Sequence, residues 1–130
     1  MKKRKVNQNT EYQLQKAVCK YLDLQGYLYC ASMGGQYQKY HSQRNRAKAT
    51  GLKRGIPDLI IYEPANKYES DELWHGLAIE LKVGYNRATK EQLYWRDELN
   101  KRGYISEICY TLDETISIIE TYMGGFIKWE

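Results

Sequence analysis

No stretch of this 130-residue sequence approaches the roughly 20 consecutive apolar residues that cross a bilayer. The longest apolar runs, such as Leu59-Ile60-Ile61-Tyr62, are a strand's length, so a membrane-spanning role is not expected. The basic start, Lys2-Lys3-Arg4-Lys5, is followed by Val6-Asn7-Gln8-Asn9 rather than an apolar core, which argues against a secretory signal. Cysteine is scarce. Cys19, Cys30 and Cys109 are odd in number, widely spaced and set among apolar or aromatic neighbours. They read as buried free thiols rather than a disulfide framework or a zinc site, because metal sites need clustered ligands, and His41 and His75 do not supply the missing ones. A reducing cytoplasm is the expected setting. Internal repeats and low-complexity linkers are also lacking, and the length suits one compact domain.

Acidic residues are missing from one region in particular. Between Asp23 and Asp58 there is none, while Lys39, Arg44, Arg46, Lys48, Lys53 and Arg54 place six positive charges there, in a chain whose net charge is +4. The asymmetry points to a polyanion, and nucleic acid is the default partner; a solvated loop that binds nothing is the plainer alternative. Residues 1–9 read as a basic arm, either a phosphate-binding extension or an unstructured end, and residues 10–130 as the domain proper.

What is present has a clear rhythm. Thr10-Glu11-Tyr12-Gln13 has the spacing of a capping box. Leu14, Ala17, Val18, Tyr21 and Leu22 then recur at helical intervals up to Gly26. Residues 27–33 read as an aromatic-rich strand, and 34–55 as an irregular basic segment with one helical turn around 43–49. Residues 56–63 form a second strand, with Pro57 tolerable near its start. Residues 64–73 read as a turn and 74–84 as a third strand. Thr89-Lys90-Glu91-Gln92 opens a helix that runs to about Arg102 before Gly103. A strand over 104–110 and a helix over 112–122 complete the order α-β-β-β-α-β-α. This predicts an α/β fold, a mixed sheet flanked by helices.

Period-two alternation along the third strand places Leu77, Ile79, Leu81 and Val83 on one face, and Ala78, Glu80 and Lys82 on the other. If the second and third strands pair as a hairpin, Asp58 and Glu80 converge. Two such carboxylates repel, and a divalent cation relieves the repulsion. Glu11 heads the stripe of Leu14, Val18 and Leu22, so it reads either as a third inward-facing carboxylate or as a capping neighbour stabilised by the helix dipole.

Gly55-Ile56-Pro57-Asp58 followed by Glu80-Leu81-Lys82 resembles the G-x-P-D … E-x-K signature of the VRR-NUC (virus-type replication-repair) branch of the PD-(D/E)xK nucleases. Glu11 on the preceding helix and Thr89/Gln92 on the following one match the rest of the pattern. E-x-K alone is a weak motif; its combination with G-x-P-D on a second strand is far more specific. The similarity covers roughly residues 11–110 and suggests a small stand-alone member of the kind carried by phages. It implies a restriction-endonuclease-like fold and metal-dependent hydrolysis of DNA phosphodiesters. Glu11, Asp58, Glu80 and the Leu81 carbonyl would ligate Mg²⁺ or Mn²⁺, and Lys82 would sit beside the attacking water. Gln92 would help hold the lysine, the water or the phosphate, or would merely complete the Thr89 cap. The cations from Lys39 to Arg54 would contact phosphates, and Tyr37 and Tyr40 would stack on unpaired bases or simply pack. Family likeness further implies a homodimer acting on branched DNA such as four-way junctions, with Tyr104, Ile105, the last helix and the 126–129 tail offering apolar surface. Two rival readings are a sequence-specific restriction-type endonuclease, for which no base-reading element is visible, and a non-catalytic nucleic-acid-binding module of the same fold.

Overall fold

In a computed structural model, residues 8–32 and 41–128 are described, without the side chains of residues 8, 9 and 41–44. Residues 1–7 of the predicted 1–9 arm, Lys39, Tyr37 and Tyr40 lie outside the described residues, as does the side chain of Arg44, while residues 8 and 9 belong to the first helix. The elements run α1 (Gln8–Gln25), β1 (Tyr29–Ala31), α2 (His41–Ala49), β2 (Leu59–Ile61), β3 (Ala65–Asn66), β4 (Leu73–Trp74), β5 (Leu77–Leu81), α3 (Lys90–Lys101), β6 (Ile105–Cys109) and α4 (Leu112–Met123).

Four strands form a mixed sheet in the order β1-β2-β5-β6, and β3 and β4 form a separate two-stranded ribbon. β1, β2 and β5 pair antiparallel, whereas β5 and β6 run parallel with α3 as the crossover. A parallel pair requires such a connection. α1 and α4 lie together over one face. There Leu59, Ile61, Leu77, Ile79 and Leu81 meet Val18, Leu22, Ile119 and Tyr122, all fully buried. Each large aliphatic side chain so placed contributes roughly 1.5–3 kcal/mol. The α1 stripe predicted from periodicity is the one that packs, and the helix ends where predicted. Gly26 takes φ +76°, and the Gly26 and Tyr27 amides bond back to the Asp23 and Leu22 carbonyls, closing the last turn. α3 covers the other face more thinly: none of its residues is buried.

Several boundaries differ from the sequence expectation. α1 begins at Gln8, before the Thr10 capping box. The basic segment holds a nine-residue helix, α2, rather than a single turn; no apolar stripe marks it. The strand expected over 74–84 is broken at His75-Gly76. Leu73-Trp74 pair with Ala65-Asn66 instead, the His75 amide donates to Gly103 O (2.7 Å), and Gly76 is wedged against the Ile61 carbonyl and the Tyr104 ring. Strands predicted at 27–33 and 56–63 shorten to three residues each, although the Ser32 and Tyr62 amides still bond to the Asp58 and Leu28 carbonyls at the ladder's two ends. The cysteines are free thiols, but only Cys109 is fully buried; Cys30 is exposed, because alternation along β1 turns Tyr29 and Ala31 toward the core instead.

Candidate active site

β2 and β5 pair with Leu59 opposite Ile79, so one step outward along the ladder Asp58 faces Glu80. Each acid takes a backbone amide from the other strand. Asp58 N–H donates to Glu80 Oε2 (3.1 Å), and Leu81 N–H donates to Asp58 Oδ2 (2.8 Å). The side chains thus stand where the ladder's own carbonyls would otherwise accept, and the two carboxylates are held together on the α3 side of the sheet. Lys82, two residues further along the same face, brings Nζ to 3.7 Å from Glu80 Oε1. Glu80 and Lys82 are almost as buried as their aliphatic neighbours, at 6% and 7% exposure.

The first turn of α3 closes over this pair. Thr89 is the N-cap, its hydroxyl accepting from Gln92 N–H (3.2 Å) while Gln92 Oε1 accepts from Thr89 N–H (2.8 Å). The same Gln92 amide donates from Nε2 to Glu80 Oε1 (2.5 Å). Gln92 therefore completes the cap, as one sequence reading has it, and also reaches the acidic pair, a contact the sequence reading does not name. The turn carrying Asp58 is fixed to α3 by two further contacts. Trp95 Nε1 donates to Arg54 O (3.1 Å). Gly55, at φ +92°, lies so close to α3 that an added Cβ would stand 2.5–2.7 Å from the carbonyl and Cβ of Glu91. Only glycine fits both the backbone conformation and the gap.

Burial sets the electrostatics. It raises the Glu80 carboxyl to about 8; repulsion from Asp58, and more weakly from Glu11, adds to the rise, while Lys82 and the Asp58 amide oppose it. Asp58 is likewise raised by burial, against the Leu81 amide, Lys82 and its bond with Glu80. At neutral pH the pair retains a proton that ordinary carboxylates would have released. Glu11, half-buried at the head of α1, is raised by its own desolvation and by Asp58, and is steadied by Lys82 and by a hydrogen bond from Asn86. Sequence reasoning misses Asn86; its only signal is a polar amide in the turn directly after E-x-K.

These donors suit a hard divalent cation: two abutting carboxylate groups, no thiol or imidazole beside them among the described residues, and a repulsion that a positive ion would relieve. Among the described residues, no group of three or more His, Cys, Asp and Glu side chains is gathered closely enough to hold an ion; Glu11 is near enough to the Asp58–Glu80 pair for their charges to repel. Of the predicted phosphate-contacting residues, Arg46 and Lys48 are exposed in the last turn of α2, and Lys53 and Arg54 are exposed in the loop leading to Gly55. No helix among the described residues is long and apolar enough to cross a membrane.

Comparison with known proteins agrees with this geometry. A search of curated proteins returns no match. A solved structure described as a VRR_NUC domain protein superposes with a TM-score of 0.71 at 27% identity, covering 100% of this chain and 96% of its own. The family model for the VRR-NUC domain matches residues 9–112. That span runs from the helix bearing Glu11 past both strands and α3 to the end of the sheet, and on it the chain belongs to the VRR-NUC domain family, with that family's nuclease-type fold.

Proposed function

We propose that the protein is a metal-dependent deoxyribonuclease that hydrolyses phosphodiester bonds in branched DNA. The observation that carries the reading is the pairing of Asp58 and Glu80 across β2 and β5, with Lys82 and Gln92 on the same face. Mg²⁺ or Mn²⁺ held by Glu11, Asp58, Glu80 and the Leu81 carbonyl would polarise a phosphoryl oxygen and lower the pKa of a bound water. The chain's own groups do the rest. The Lys82 ammonium, desolvated beside Glu80, stabilises a nearby hydroxide and the negative charge that builds on the phosphorane. Gln92 holds the orientation of Glu80 from one side while its main chain is fixed by the Thr89 cap. α3 keeps bulk water off the pair, which strengthens each of these interactions.

Arg46, Lys48, Lys53 and Arg54, together with Lys39 and Arg44, supply phosphate contacts that position DNA without reading its sequence. A homodimer would present two such sites, matching the symmetry of a four-way junction, and the exposed Phe126 near the C-terminus offers apolar surface for a subunit contact.

The test uses labelled four-way junction, flap and linear duplex with Mg²⁺, Mn²⁺ or EDTA. Cleavage should require the metal and favour the branched substrates. Asp58→Ala should abolish cutting while junction binding persists. A protein that shifts all three DNAs but cuts none with either ion would be a binding module, and the enzymatic reading would fail.

A further inference from the structure

Along α3, beside the turn that carries Asp58, lies a groove of about 840 Å³. Its walls are the Lys53-Arg54 loop and the α3 residues Lys90, Tyr94, Trp95 and Arg102. It spans about 18 Å of helix at 1.5 Å per residue. We propose that this groove binds an unpaired strand of the nucleic acid, next to the phosphate presented to Asp58 and Glu80. The inference rests on the nuclease reading and gives its substrate a single-stranded segment adjoining the cut.

Continuity with the acidic pair argues for this occupant. The groove's head is made by Lys53, Arg54 and Glu91, which are the immediate chain neighbours of the Gly55 turn and of Gln92. A strand lying there would pass within a few residues of the scissile position. Charge argues for it as well. Lys53, Arg54 and Lys90 are exposed, and no ion pair among the described residues engages them. Of the groove's two acids, Glu98 is already bound to Lys101 (3.1 Å) and Arg102 (3.4 Å). Shape and surface complete the case. Tyr94 is 63% exposed, which leaves its ring open to stacking, and the Trp95 ring beside it is held in one orientation by the Arg54 carbonyl. Aromatic faces with cations at hand are how proteins hold unpaired bases without regard to sequence. A groove of this volume falls in the range of small-ligand sites; it takes one or two nucleotides and has no room for a double helix.

The experiment reads binding alone, in EDTA, with the full chain. Two probes share the same duplex, one blunt and one with a three-nucleotide single-stranded extension carrying 2-aminopurine; extensions of either polarity are tried. Tyr94→Ala should weaken binding of the extended probe by about 10-fold, the loss of roughly one base stack, and reduce the quenching of 2-aminopurine. The blunt duplex should bind as before, and Tyr94→Phe, which keeps the ring, should restore the extended probe. Equal losses on both probes, or no loss on either, would overturn the proposal. So would a Tyr94→Ala protein that binds both probes normally but loses self-association by sizing, because the groove would then belong to a second copy. Failure here is distinguishable from failure of the nuclease reading. If the native chain discriminates the probes through Tyr94 but never cuts with Mg²⁺, the groove stands and the enzymatic reading falls. If it cuts with Mg²⁺ and ignores Tyr94, the reverse holds.

Discussion

Adjacent residues of β5 point to two faces that are about equally dry and opposite in character. Toward α1 and α4, Leu77, Ile79 and Leu81 are fully buried among aliphatic partners. Toward α3, Glu80 and Lys82 are 6% and 7% exposed beneath a helix that buries none of its own residues. On the first face, exclusion of water is the source of stability. On the second it raises the energy of charge: burial first, and then repulsion from Asp58 and Glu11 that one ammonium only partly offsets, lift the Glu80 carboxyl to about 8. One strand thus both stabilises the fold and holds a destabilised cluster in place, and the second task depends on the rigidity the first provides.

The largest expected effects separate the two faces. Ile79→Ala should cost roughly 2–5 kcal/mol of folding stability, as large-to-small changes in a packed core do, while the folded fraction keeps its cleavage rate. Lys82→Met, of similar length but without charge, should do the opposite, retaining a cooperative thermal transition and losing about 10²–10³-fold in cleavage rate, the scale of a removed transition-state donor. Urea melts and single-turnover cleavage on both variants make the measurement. A Lys82→Met protein that cuts at the native rate would remove the ammonium from the mechanism.

The next effect concerns the cost of the charged face. Glu80 titrates near 8 in the folded chain against an ordinary 4.5. Between those values the metal-free folded state holds a proton that the unfolded chain has released. Folding stability in EDTA is therefore expected to fall as pH rises from about 5 to 8, by a few kcal/mol at most. Glu80→Gln cannot titrate and should lose that slope, melting a few degrees above the native chain at pH 8 and close to it at pH 5. A divalent ion competes with the same proton, so Mg²⁺ or Mn²⁺ should stabilise the native chain more at pH 8 than at pH 6 and leave Glu80→Gln nearly unaffected. Parallel pH profiles for the two proteins would show that Glu80 does not carry the shift.

The same contrast explains how much of the molecule is legible in its sequence. Alternation alone puts Ile79 and Glu80 on opposite faces, and G-x-P-D leads into, and E-x-K ends, two strands whose antiparallel pairing makes Asp58 and Glu80 meet. Helix signals resting on local chemistry, the Thr89 cap and the Gly26 and Gly103 stops, also read directly. What escapes depends on distant partners. The break at His75-Gly76 comes from Ile61 O, Tyr104 and Gly103, none of them local. α2 lacks an apolar stripe to announce its nine residues. The contact of Asn86 with Glu11 joins opposite ends of the chain's first two-thirds, and the α3 groove exists only because a loop some 40 residues upstream lies against that helix. The apolar neighbours of Cys30 suggest an inward thiol, yet on a three-residue edge strand alternation prevails over composition.

The smallest effect tests whether α3 is a passive cover or a positioning element. The Thr89 hydroxyl accepts from the Gln92 backbone amide and the Gln92 side-chain oxygen accepts from the Thr89 backbone amide, and the remaining end of the Gln92 side chain reaches Glu80. Thr89→Ala should cost about 1 kcal/mol of stability, as N-cap losses do. A cap that matters only to the helix would stop there. If the cap also orients Gln92, and Gln92 orients Glu80, kcat should drop several-fold with little change in KM, and Thr89→Ser, which keeps the hydroxyl, should restore it. Gln92→Ala should then make Thr89→Ala silent in kcat, since both act through the same hydrogen bond to Glu80. Additive losses in the double variant would mean that the cap and the amide reach the carboxylate pair by separate routes, and α3 would be left with the single task of keeping water out.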